Sequence, residues 1–136
     1  MILADSSAWV EYDRATGSVV DERVAELIAS NGPLAVTEPV LMEVLASARD
    51  DAREVQLRGL LRRCELLTFE PVADFDGATR IYRRCRAVGV TPRGLLDCMI
   101  AAVAWRRGAT LLTCDVDLDQ VAGVVGITVD PASPRA

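Results

Sequence analysis

Five carboxylates stand out by their positions among the 20 acidic residues of this 136-residue chain. Asp5 closes the apolar run Met1–Ala4, and Asp115 and Asp117 follow another, Thr110–Thr113. Asp97 lies in the first turn of the apolar stretch Leu95–Arg107, and Glu43 in a helical segment after Leu34–Thr37. Carboxylates that share one place repel one another, and a hard cation with oxygen ligands makes such a group tolerable. Magnesium-binding nucleases gather their acids in this way, using the ion to activate water and steady a leaving oxygen. Two absences narrow the chemistry. The chain has no His, so proton transfer must use carboxylates, thiols, tyrosine or a metal-bound water. All 15 basic residues are Arg, which removes Schiff-base chemistry and any phosphate site built on lysine.

Each acid also has a purely structural reading. Asp5 could cap a helix beginning near Ala8, and Asp97 could cap the helix it opens. For Asp97 the apolar neighbours Ile100, Ala101 and Ala104 make an unpaired charge costly, so either a tight cap or a cation must offset it. The run Asp115-Val116-Asp117-Leu118-Asp119 resembles the start of an EF-hand loop, but Gln120 stands where Gly is needed and Gly126 where Glu is needed. Calcium is therefore rejected, and a solvated acidic turn remains open. Glu43 falls off the stripe Val40, Leu41, Val44, Leu45 and Ala48, which favours a solvated side chain.

The elements that must position these acids alternate. Strands are expected at Met1–Ala4, Leu34–Thr37, Leu66–Phe69, Thr110–Thr113 and near Ile127–Val129. Helices are expected over Val19–Ser30, from Glu38-Pro39 to Ala48, over Asp51–Cys64, Phe75–Val88 and Leu95–Arg107, with a short one at Asp115–Asp119. Short apolar strands between helices imply an α/β fold with a mostly parallel sheet covered on both faces, whose ligands bind beyond the carboxyl ends of the strands. One domain spanning 1–136 is expected at this length, with a frayed tail at 130–136.

Composition bounds the rest. The longest uncharged apolar run, Cys98–Trp105, is far too short to cross a membrane, and Met1-Ile2-Leu3-Ala4-Asp5 lacks a basic leader, so a cytoplasmic protein is expected. Cys64, Cys85, Cys98 and Cys114 form no C-x-x-C pair and are read as free thiols, with neither zinc nor disulfides.

The order of the motifs is similar to the PIN-domain ribonucleases of the VapC type. Asp5-Ser6-Ser7-Ala8-Trp9 resembles the family's opening, and Glu38–Leu45 its glutamate segment. Asp97-Cys98-Met99-Ile100-Ala101-Ala102 resembles its acidic helix, and Thr113–Asp119 its final acidic turn. Ser6, Cys114 and Leu118 depart from the usual Thr, His or Arg, and Phe. The resemblance implies a PIN-like three-layer sandwich, a short parallel sheet flanked by helices. It also implies an Mg²⁺ or Mn²⁺ site with Asp5, Asp97 and Asp115 as main ligands, Asp117 auxiliary and Glu43 orienting water. Ser7 matches the hydroxyl beside the first acid. The implied function is an endoribonuclease toxin of a type II toxin–antitoxin pair, forming a homodimer and bound by a VapB-like antitoxin.

A net charge of −5 is unusual for a protein that handles RNA, but two bound Mg²⁺ would reduce it to −1. Arg93, four residues before Asp97, is the candidate phosphate contact. Arg80, Arg83 and Arg84 share a helix face and either follow an RNA backbone or form a solvated face, with Asp76 placed to pair with Arg80. Trp9 and Tyr12 are read as core or interface. Phosphotransferases of the haloacid-dehalogenase type and phosphoacceptor receivers also use strand-end aspartates, but both call for a lysine that is absent here. The remaining alternative is a PIN-fold scaffold that binds RNA or protein without cleaving.

Overall fold

A computed structural model describes residues 1–135. Four strands, β1 (Ile2–Ala4), β2 (Leu34–Val36), β3 (Glu65–Leu66) and β4 (Thr110–Leu112), form one sheet in the order β3-β2-β1-β4. Every pairing is parallel, with Leu3 opposite both Ala35 and Leu111. Seven helices flank it: α1 (Ser6–Asp13), α2 (Val19–Ala29), α3 (Glu38–Ala46), α4 (Asp51–Leu61), α5 (Pro71–Ala87), α6 (Leu95–Arg107) and α7 (Val116–Val125). The central strands are buried on both faces, with Leu3, Ala35, Val36, Leu111 and Leu112 all but inaccessible, which is why they read as continuous apolar runs.

The strand order sets the position of any site. From β1 the chain moves outward through β2 to β3, then returns to place β4 on the other side of β1. The connections therefore diverge between β1 and β4, and in open parallel sheets that is the point, beyond the carboxyl ends of the strands, where ligands bind. Asp5 leaves β1 and Asp115 leaves β4, so they stand on either side of that point.

α6 is the innermost helix. Cys98 and Ile100–Ala104 are buried, and Gly108 closes it at φ 64°, a left-handed position that glycine takes without strain. α5 packs closely on α6 at Gly77, where a Cβ would lie 3.3 Å from that of Ala102.

Several boundaries differ from expectation. α5 begins at Pro71, four residues before Phe75, because proline fills the first turn here as Pro39 does in α3. α7 runs to Val125 rather than Asp119, with Asp115 as its cap. The expected strand at Ile127–Val129 is a single bridge from Val129 to Leu111. The tail is pinned rather than frayed over its described part. Asp130 is buried against Arg23, and the Ser133 hydroxyl accepts a hydrogen bond from Thr113 N. Ala136 lies outside the described residues. Trp9 is fully buried, with Tyr12 edge-on to it, and all four cysteines are free. Among the described residues no helix is long and apolar enough to cross a membrane.

Candidate active site

Asp5 is positioned by its own helix. Its Oδ1 accepts hydrogen bonds from Ala8 N at 3.0 Å, capping α1, and from Ser7 Oγ at 2.7 Å. Its Oδ2 accepts from Thr113 Oγ1 at 2.8 Å. Thr113 in turn accepts from Asp115 N, and Cys114 N donates to Ser7 Oγ. The end of β1 is thus tied to the end of β4 through side chains 106 to 108 positions apart. Asp5 does cap a helix, but the cap does not exhaust its role. Burial outweighs the hydrogen bonds from Ser7, Ala8 and Thr113, and with the Asp115 charge it raises the carboxyl from 3.8 to about 6.

Asp97 is different. The cap position of α6 is Gly94, and no side chain caps this helix, so the capping role considered for Asp97 does not hold. Burial first, then the charges of Asp115, Asp5 and Glu43, raise its carboxyl from 3.8 to about 6, while Arg93 opposes them. The carboxylates that sequence order singled out therefore act on one another in space. Glu43 is part-buried, not simply solvated, and accepts a 2.6 Å hydrogen bond from Ser6 Oγ that draws α3 to the start of α1.

Asp115 caps α7 by accepting from Asp117 N at 2.9 Å, and its side chain is only 11% exposed. Arg93 bonds to Asp117 at 3.1 Å and lies 3.7 Å from Asp115. The guanidinium expected to meet phosphate thus stands at the acids. Ser7, expected beside substrate, uses its hydroxyl on Asp5 and Cys114.

The donor set suits a hard cation, being all oxygen and free of histidine. Among the described residues no three acidic or sulfur side chains converge tightly enough to enclose an ion as they stand. Magnesium requires less than a cage, since it usually keeps several waters and binds through one or two carboxylates. Asp97 meets that need best: a half-buried carboxylate with no cap to hold, within electrostatic reach of three other acids. A groove of about 310 Å³ between α5, α6 and α7, lined by Ile81, Ala102 and Trp105, contains none of these acids.

Residues 2–124 match the family model described as the PIN domain. The chain belongs to the PIN-domain family. Within it, the chain is 41% identical over 128 residues to the VapC ribonuclease Mb1587 of Mycobacterium bovis, covering 93% of this chain and 96% of that protein. Ribonuclease VapC11 of Mycobacterium tuberculosis matches with the same identity and coverage. The chain is thus a member of the VapC ribonucleases. The PIN fold is shared with the DNA-bound VapBC of Salmonella typhimurium, with a TM-score of 0.73, 21% identity and 95% of this chain and 96% of that one covered. FitAcB of Neisseria gonorrhoeae gives a TM-score of 0.74 at 18% identity, covering 97% and 98%.

Two hydroxyls of this PIN domain escaped the sequence reading as functional groups. Thr113 is fully buried and holds Asp5 and Asp115 in register, and Ser6 fixes Glu43. The only local signal was a hydroxyl residue next to each acid-bearing turn. Thr37, at the end of β2 beside β1, keeps a buried Oγ1 with no partner among the described residues.

Proposed function

We propose that this VapC-family chain, as a single nuclease domain over 1–136, is an Mg²⁺-dependent endoribonuclease and the toxin of a type II toxin–antitoxin pair. The observation that carries the reading is Asp97: a half-buried carboxylate with no capping role, within electrostatic reach of Asp5, Asp115 and Glu43, while Asp5 and Asp115 flank the point where the sheet connections diverge. Asp5, Asp97 and Asp115 would hold the cation, with Asp117 auxiliary and Mn²⁺ an alternative ion. When bound, the ion supplies charge neutralisation and a more acidic water suited to in-line attack on phosphorus.

The chain's own residues supply the rest. Ser7 and Thr113 aim Asp5, so that its two oxygens do not need to be reoriented during turnover. Glu43, fixed by Ser6, orients water and accepts its proton. Arg93, with a side chain 69% exposed and paired to Asp117 at 3.1 Å, can exchange that partner for a phosphate of the substrate, because an ion pair open to solvent holds a flexible side chain weakly.

The VapBC structures among the fold's neighbours support a VapB-like antitoxin as partner, and a homodimer is the proposed working unit. An antitoxin arginine that pairs with these carboxylates would displace the cation and silence the enzyme. The pure protein, a dimer by light scattering, should cut RNA in Mg²⁺ or Mn²⁺, stop in EDTA, and fall silent when the neighbouring gene's product is added. A monomer that binds Mg²⁺ weakly and cuts nothing would favour the scaffold alternative.

A further inference from the structure

We infer that RNA reaches the acid cluster along the C-terminal half of α5, with Arg83 and Arg86 holding its phosphates and Tyr82 lying beside them. The inference rests on the ribonuclease reading and adds the path of the substrate to it.

The arginines of α5 are not equivalent. Arg80 donates to Asp76 at 2.9 Å on its own helix, so its charge is already engaged. Arg84 lines the apolar groove that also holds Trp105, away from the acids. Arg83 makes no hydrogen bond or ion pair with any described residue. Arg86 reaches only Tyr82, its Nη1 3.4 Å from the hydroxyl and its guanidinium 5.9 Å from the ring centre.

These two arginines also lie on a continuous surface. A cleft of about 500 Å³ is bordered by Tyr82, Arg83 and Arg86. A second, of about 470 Å³, is lined by Tyr82 and Arg83 again, and by Pro92, Arg93 and Leu95 at the entrance to α6. The shared residues join the two clefts, and the far end is Arg93, which touches Asp115 and Asp117. The order along the surface is therefore Arg86, Arg83, Arg93, acids.

Electrostatics calls for such a path. A chain of net charge −5, with its carboxylates gathered at the site, repels a polyanion, so cations must flank the point of cleavage. Arg83 can turn to phosphate without breaking a contact, and Arg86 gives up only its contact with Tyr82. Tyr82 is half-buried with Arg86 over its ring, and once Arg86 turns to phosphate that face is open to an unpaired base of any identity.

The test is fluorescence anisotropy of a labelled 20-nucleotide mixed-sequence single-stranded RNA in Mg²⁺, with Asp97→Asn in every protein to prevent cleavage. Arg83→Gln/Arg86→Gln should weaken binding about tenfold at 100 mM salt. It should also make the slope of log affinity against log salt shallower by about 1.4, at roughly 0.7 per phosphate contact. Arg83→Lys/Arg86→Lys, which keeps the charges, should restore most of the affinity. Arg62→Gln/Arg63→Gln removes the same charge at the C-terminus of α4, where Arg63 lies beside Asn31 and Gly32 just ahead of β2, and should change binding less than twofold. An unchanged affinity in the Arg83/Arg86 variant, or an equal loss in the Arg62/Arg63 control, would overturn the path. Failure of wild-type protein to cut or bind any RNA would overturn the ribonuclease reading instead.

Discussion

Asp97→Asn is expected to lower RNA cleavage on the order of 10³-fold while leaving the cation-free protein as stable as wild type or more so. The loss in rate has the scale felt when one electrostatic partner of a transition state is removed. The gain in stability has a separate cause. The carboxyl of Asp97 is raised to about 6 by burial and by Asp115, Asp5 and Glu43, so its ionised form costs free energy at neutral pH. Solvent screening of this part-exposed group leaves about 1 kcal/mol of that cost, worth roughly 2–5 °C in Tm for a chain of this size. Asparagine keeps the shape and removes the charge. Melting curves in EDTA beside cleavage rates in Mg²⁺ read both effects. Full activity would remove Asp97 from the site, and a lower Tm would show that its charge supports the fold.

The second large effect is on pH dependence. In EDTA, wild-type stability is expected to fall as pH rises from 5 to 8, and to recover on addition of Mg²⁺. Asp5 and Asp97 titrate near 6 when folded and near 3.8 when unfolded. Between those values the folded chain holds protons that the unfolded chain has released. The contribution of each is therefore complete below 3.8 and is lost as pH passes 6. For fully buried Asp5 the whole span corresponds to about 3 kcal/mol, of which roughly half disappears above pH 5. Asp74, ion-paired with Arg106 and lowered below 3.8, acts the other way but only at pH values below this window. Stability that stays flat or rises from pH 5 to 8 in EDTA would contradict the repulsive cluster.

The parts of this site legible in the sequence were those that depend on local pattern. Asp5 and Asp115 end short apolar runs, and parallel strands of one sheet present their ends on one edge, so the two could be placed together before any contact was known. Asp97 was legible because a charge in so apolar a helix needs a reason. The supporting contacts were not. Thr113 meets Asp5 across 108 positions and Ser6 meets Glu43 across 37, and nothing in local periodicity encodes such pairs. The tail failed for the same reason: its Pro and Arg content suggests fraying, but the partner that anchors Asp130 is Arg23, 107 positions away. The start of α5 is a different failure. A helix expected only from Phe75 passes over Pro71, although the rule that places Pro39 in a first turn applies equally to it. Arg93 was near the site as expected, but its ion pairs with Asp115 and Asp117 arise from the loop before α6 folding over α7.

The central claim is that water, activated among Asp5, Asp97 and Asp115, attacks the phosphodiester. The direct measurement is the chemistry of the ends left after RNA is cut by the pure protein in Mg²⁺. Attack by water leaves a 5′-phosphate and a 3′-hydroxyl, and these are the ends predicted. A 2′,3′-cyclic phosphate would mean that the RNA's own 2′-hydroxyl was the nucleophile, and would contradict the account.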